Sequence, residues 1–244
     1  MIKDFLMEKN NILIFQSFSK LAKFALKWLT AKIKDVQDDK FFTVALSGGT
    51  TPKQLFEYIA LHGNDAVNWN KILFFWSDER CVLPNSGDSN YRMARLYLLD
   101  KLNIPEGHIF RINGEDDPGE EAQRYSRILS ENIPSENGLP RFDLILLGLG
   151  EDGHTASIFP GNTQLFQSQR FCEAVKHPQT GQQRITLTGP VINNAIDIAF
   201  LVTGSGKAKI VSKVLKNDKT DYPASSVCPV HGRLTWLLDK EAAG

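Results

Sequence analysis

The chain has 244 residues, 42% hydrophobic and 23% charged, with Lys plus Arg and Asp plus Glu both at 28. That is the make-up of a globular protein near the upper end of what one core supports, and one domain over residues 1–244 is expected. The even charge balance advertises neither nucleic acid nor an acidic membrane as partner, and no run of roughly eighteen apolar residues offers a membrane span, so a small anion held by local groups is the partner to look for.

Residues Met1 to Asn10 interrupt their apolar positions with both signs of charge and lack a small-residue cleavage site, which argues against a signal peptide. Cys81, Cys172 and Cys228 are scattered, without a CxxC pair or an even count, which is a reduced, cytoplasmic pattern rather than a disulfide frame or a zinc site. Asn11 to Phe15 reads as a first strand. Ser17 then caps a helix packed by Leu21, Phe24, Ala25, Trp28 and Leu29. The next strand, Phe41 to Leu46, leads into Ser47, Gly48, Gly49, Thr50, Thr51 and Pro52, ahead of a helix from about Lys53 to Leu61. Strand, Gly/Ser/Thr loop and helix amino terminus together offer amides and hydroxyls to a phosphate, although the Gly-Lys-Ser/Thr ending of a Walker loop is missing.

Ile72 to Trp76 is a third buried strand, and Ser77, Asp78, Glu79 and Arg80 follow it as a charged loop, either solvated or part of a site. Ser89 to Leu99 reads as a helix packed by Met93, Leu96 and Leu99, capped by Asp88 or Ser89. Residues 103 to 119 form a surface connection with at most a short strand near His108 to Ile112, and Gly119 to Glu131 a helix with a solvated outer face. Ser135 to Pro140 is a turn. Phe171 to Val175 and Arg184 to Thr188 read as further strands, Gly189 to Asn194 as a short helix, and Ile198 to Val202 as a buried strand. Gly204-Ser205-Gly206-Lys207 opens a helix to about Leu215. Leu234 to Asp239 is the last strand. Strands alternating with helices predict a doubly wound, mainly parallel α/β sheet of about six or seven strands with helices on both faces, Rossmann-like in plan.

The stretch from Phe142 to Gly161 organises the rest: a Leu/Ile run for a strand buried on both faces breaks into Gly148-Leu149-Gly150-Glu151-Asp152-Gly153-His154. Ligands gather outside the carboxyl ends of such strands, which puts Asp152 and His154 where chemistry is done. His154 can equally cap a tight turn. Gly148, Gly150 and Gly153 match the spacing of a dinucleotide fingerprint, and Glu173 falls about twenty residues on, but Pro160 and Gly161 leave no room for the helix that would meet a pyrophosphate. No nicotinamide, flavin or other cofactor is expected, and no His, Cys or carboxylate spacing calls for a metal.

Gly-Leu-Gly-Glu-Asp-Gly-His-Thr-Ala-Ser-Ile-Phe-Pro-Gly, residues 148–161, resembles the signature of the 6-phosphogluconolactonase family. Asp78-Glu79-Arg80 with Ser89-Asn90, and Pro223-Ala224-Ser225-Ser226 with Leu234-Thr235-Trp236-Leu237-Leu238-Asp239, extend the likeness over most of the chain. The related glucosamine-6-phosphate deaminases share Asp-Gly-His but place polar and acidic residues after it, and read Asp-Glu-Tyr where this chain has Arg80. Such a sugar-phosphate deaminase or isomerase is the alternative activity. The lactonase resemblance implies opening of the 6-phosphogluconolactone ring in the oxidative pentose phosphate route. Ser47 to Thr51, Arg184 and Lys207 would hold the phosphate, with Asp78, Arg80 and Asn90 bordering the active site.

For that reaction His154 is the expected general base toward water, Asp152 the group that orients either the imidazole or the water, and either Arg80 or the glycine amides of 148–153 the oxyanion donors. Neither Ser47 nor Ser157 lies in a Gly-x-Ser-x-Gly elbow, which argues against a serine nucleophile.

Overall fold

The computed structural model describes residues 10–216 and 222–244. The signal-peptide reading of the amino terminus concerns residues that, Asn10 apart, lie outside the described ones. In chain order the elements are β1 (Asn10–Phe15), α1 (Phe18–Lys34), β2 (Phe42–Leu46), α2 (Thr50–His62), β3 (Ile72–Trp76), β4 (Asp78–Arg80), α3 (Asn90–Ala94), α4 (Pro118–Asn132), β5 (Ser135–Glu136), β6 (Leu139–Pro140), β7 (Leu144–Leu147), β8 (Cys172–Lys176), β9 (Gln183–Leu187), α5 (Gly189–Asn193), β10 (Asp197–Val202), α6 (Ala208–Lys216), β11 (Arg233–Asp239) and α7 (Lys240–Ala243).

Six strands form one sheet in the order β1-β11-β10-β7-β2-β3, and every pairing in it is parallel. Each residue of β2, β3, β7 and β10 is buried, so the sheet is covered on both faces, which the predominantly apolar runs of these strands require. The helices between the strands provide that cover. The chain builds outward from β2 to β3 on one side and from β7 through β10 to β11 on the other. The order therefore reverses between β2 and β7, and the crevice at their carboxyl ends is the place such sheets bind ligands.

Several elements depart from the sequence reading. Ser77 to Arg80 is no loop: Asp78–Arg80 is β4, which pairs antiparallel with β9, and β9 pairs antiparallel with β8. The strands read at Phe171 to Val175 and Arg184 to Thr188 are thus a separate three-stranded sheet, not part of the parallel one. The helix expected from Lys53 begins at Thr50, taking both threonines into its first turn.

The helix expected through Leu99 passes after Ala94 into a π-helical turn over Arg95–Leu99, closed by Asp100 N donating to Arg95 O at 3.0 Å. The wider turn rotates the buried set. Leu98 and Leu99 are covered, while Leu96, expected in the core, is 41% exposed. Ser89 is the cap, accepting from Arg92 N. The outer face of α4 is not wholly solvated, because Glu121 is fully buried, bonded to Arg124 and to the Asn113 amide. Ser135 to Pro140 closes as the two-residue strands β5 and β6, and His108 to Ile112 contributes only a bridge from Ile109 to Phe74.

Strand β3 ends the sheet order, yet its outward backbone groups are occupied. Phe110 N donates to Phe74 O at 2.8 Å, and the buried Tyr125 hydroxyl accepts from Trp76 N at 2.8 Å while donating to Trp76 O at 3.1 Å. Among the described residues no helix is long and apolar enough to cross a membrane.

Candidate active site

A cleft of about 480 Å³ opens at the carboxyl ends of β2, β7 and β10, where the order of the sheet reverses. Ser47, Gly48, Gly49, Thr50, Thr51, Asp78, Arg80, Asn90, His154, Arg184 and Lys207 all line it. Of the residues the sequence singled out, only Asp152 stands back from the cleft wall, and it does so to hold His154.

The turn that carries Asp152 and His154 is built on bare backbone. At Gly150 a Cβ would lie 2.1 Å from His154 Nδ1 and 2.6 Å from Asp152 Oδ1, so only glycine lets the two side chains fold over the chain here. Asp152 Oδ1 then accepts from the His154 amide at 3.1 Å and sits 2.6 Å from His154 Nδ1. Burial raises the Asp152 carboxyl, but the charge of a protonated His154 and the hydrogen bonds from its amide and ring outweigh that and hold it below the usual carboxylate range. An ionised Asp152 accepts a hydrogen bond from Nδ1–H and so keeps the proton on that nitrogen. The lone pair is thereby assigned to Nε2.

The turn is closed by Gly150 N donating to His154 O and Gly153 N to Gly150 O, and latched from outside by Ala224 N donating to Gly153 O at 3.0 Å. No helix follows Gly153; Thr155 and Ile158 bridge instead, so the dinucleotide spacing has no helix amino terminus to offer.

The facing wall comes from β2 and α2. Gly48 meets Asn90 so closely that an added Cβ would fall 1.9 Å from its Oδ1, which locks the loop against the amino end of α3. Asn90 Nδ2 donates to Asp78 O at 3.0 Å, and Ser157 Oγ to Asp78 Oδ2 at 2.6 Å. Glu79, 2% exposed, does not reach the cleft. It accepts from Ser89 Oγ and from the amides of Arg80, Asn90 and Tyr91, and burial pushes its carboxyl up against the pull of those four donors.

The cations occupy the remaining sides. Arg80 and Arg184 are partners across the β4–β9 ladder, so both guanidiniums serve one side of the cleft. Arg80 Nη1 donates to Asp88 O at 2.6 Å and Arg184 Nη2 to Gln182 Oε1 at 3.2 Å, while the buried Nε of each has no partner. Burial, with Arg80 alongside, lowers the pKa of Arg184. Lys207 closes the short 3₁₀ turn Ser205–Lys207 after β10. Among the described residues none of these three cations forms an ion pair with a carboxylate, and an anion placed among them would be the first to do so.

The sequence reading missed Gln54, Thr203 and Ala156, which also line the cleft. Gln54 is four residues after Thr50, so helical spacing could have found it once α2 was started correctly. Thr203 carries no such signal; its hydroxyl lies 2.8 Å from that of Thr51 and ties β10 to α2.

The model of the glucosamine-6-phosphate isomerases/6-phosphogluconolactonase family matches residues 16–236. A 6-phosphogluconolactonase of Synechocystis is 43% identical over 223 residues, covering 89% of this chain and 90% of its own. That of Treponema pallidum is 38% identical over 229 residues, covering 94% and 90%. The solved structure of 6-phosphogluconolactonase from Trypanosoma brucei superposes with a TM-score of 0.84 at 29% identity, covering 96% of this chain and 98% of that one.

Proposed function

The chain belongs to the glucosamine-6-phosphate isomerase/6-phosphogluconolactonase family, and from that membership we propose that it hydrolyses 6-phosphogluconolactone to 6-phosphogluconate in the oxidative pentose phosphate route. The observation that carries the reading is the Asp152–His154 pair at one wall of a cleft whose other walls bear three cations without carboxylate partners. One wall can activate water, and the others can hold a phosphorylated acid.

In the proposed mechanism neutral His154 takes a proton from water at Nε2 as the oxygen attacks the lactone carbonyl, and Asp152 keeps Nδ1 protonated and steadies the imidazolium that forms. The tetrahedral oxyanion needs donors. The amides of Gly150 and Gly153 are already spent inside the turn, which leaves the Gly148 amide and the guanidinium of Arg80; Arg80, the charged donor of the two, is the group we assign to it. Collapse expels the ring oxygen, which receives the proton from His154; the carboxylic acid so formed releases its remaining proton to solvent, and the carboxylate stays beside Arg80.

The phosphate is assigned to Lys207, Arg184 and the amino end of α2 with Ser47, Gly48, Gly49, Thr50 and Thr51, where the helix dipole adds to the side chains. Asp78 and Asn90 are assigned to sugar hydroxyls. Residues 1–244 are read as one domain, and a cytoplasmic setting is favoured by three cysteines that remain free thiols.

Titration of the acid released from freshly prepared 6-phosphogluconolactone tests the reading. Rapid turnover by the purified protein supports it; a rate equal to spontaneous hydrolysis, at protein concentrations that bind 6-phosphogluconate, would sink it.

A further inference from the structure

Phe159 is fully buried, yet the contiguous hydrophobic cluster that takes in Ile158 and Leu165 on either side of it does not include it. Its neighbours are the groups of the site. The His154 ring lies 4.8 Å from its centroid at an interplanar angle of 52°, and the Arg184 guanidinium carbon lies 5.6 Å from the same ring. A third group, the imidazole of His177, stands 4.8 Å away at 59°.

His177 is itself fixed, because its Nδ1 accepts from the amides of Gln179 and Thr180 at the tip of the β8–β9 hairpin. The same tip supplies Gln182 Oε1 to Arg184. The ring is therefore wedged between a locked hairpin tip and two residues that face the cleft.

We infer that Phe159 is a positioning residue for the proposed hydrolysis, setting the His154 imidazole and the Arg184 guanidinium from one ring. Asp152 fixes where Nδ1 points but leaves the imidazole able to swing about that hydrogen bond; a packed ring against its side removes the swing. Arg184 gains a flat apolar support that keeps its fork aimed across the ladder beside Arg80. A base displaced by as little as an ångström costs on the order of a hundredfold in rate, so the support bears on turnover as well as stability. The inference rests on the reading of His154 as base and Arg184 as phosphate contact.

Phe159→Leu keeps the apolar fill and removes the ring. We expect kcat to fall about ten- to a hundredfold on both 6-phosphogluconolactone and unphosphorylated gluconolactone, since His154 serves both. KM should rise severalfold for the phosphorylated substrate alone, since only it uses Arg184. A variant that loses melting temperature while its folded fraction keeps wild-type kcat and KM overturns the inference. Should Phe159→Leu fail to fold, Phe159→Met refills the space with an unbranched chain and must show the same split.

Proton NMR gives a readout independent of turnover. The His154 ring protons, under the ring current of Phe159, should move in the variant. Unmoved resonances overturn the inference even if the lactone is hydrolysed, whereas a wild-type protein inactive on that lactone overturns it together with the reading of His154 as base, wherever the resonances fall.

Discussion

The two ends of the parallel sheet carry similar residues to opposite effect. At the amino ends lies a polar recess of about 770 Å³, larger than the 480 Å³ cleft at the carboxyl ends. Apart from the exposed Asp35, Asp39 and Lys40 at its rim, its charges answer one another: Asp197 takes both Lys32 and Arg233, Arg141 pairs with Glu136, and Asp143 accepts from the amide and hydroxyl of Thr43. At the carboxyl ends Arg80, Arg184 and Lys207 are left without carboxylates among the described residues, while the nearby Asp78 and Glu79 are consumed by hydroxyl and amide donors. Volume therefore does not distinguish a site from a crevice; unanswered charge does. The same side chains that hold one end together are, at the other, held apart for a ligand.

The comparison breaks most visibly at His154. His154→Asn should lower kcat by about two to four orders of magnitude while 6-phosphogluconate still binds within a fewfold of wild type, since general base catalysis is lost and the anion contacts are not. Steady-state kinetics and calorimetry on the folded variant check this; near wild-type kcat would move the base elsewhere in the cleft.

Next in size is Lys207→Ala. Loss of one charge-assisted contact of about 1.5–3 kcal/mol should raise KM for the phosphorylated lactone by one to two orders of magnitude, with unphosphorylated gluconolactone nearly indifferent. Equal losses on both substrates would mean that Lys207 does not meet the phosphate.

The smallest effect on turnover belongs to the amino end, where Asp197→Asn should leave kcat and KM unchanged. Stability should fall by about 1–3 kcal/mol, because the variant leaves Lys32 and Arg233 facing no anion. Urea denaturation with parallel kinetics reads both quantities. A kinetic defect in a stably folded Asp197→Asn protein would contradict the division between the two ends.

The fold was legible where burial writes a continuous message. The runs Ile72 to Trp76, Leu144 to Leu147 and Ile198 to Val202 read as strands covered on both faces because every residue in them is apolar. The second sheet was not, since β4 is three charged residues long and its burial depends on partners far along the chain. Glu79 is satisfied by the amino end of α3, and Asp78 by Ser157. No local pattern announces such a pairing. The π-helical turn at Arg95–Leu99 is likewise invisible to a period of 3.6, and it is what moved Leu96 out of the core and Leu98 in.

Within the cleft, glycine turns after strands gave away two of its walls, the Ser47 to Thr51 loop and the turn that carries His154. The ring of Phe159 looked like one more apolar residue, because what distinguishes it is the set of polar groups it touches rather than its own chemistry.

The occupied outer side of β3 bears on how copies of this chain can meet. A free sheet edge is a template for an added strand, and proteins that leave one open risk end-to-end association and fibrous aggregation. Here Tyr125 bonds both the amide and the carbonyl of Trp76, and Phe110 takes the carbonyl of Phe74, so that margin has little backbone left to offer an incoming strand. Growth of this sheet by strand addition is thereby blocked at the β3 margin, giving the molecule one stoppered side.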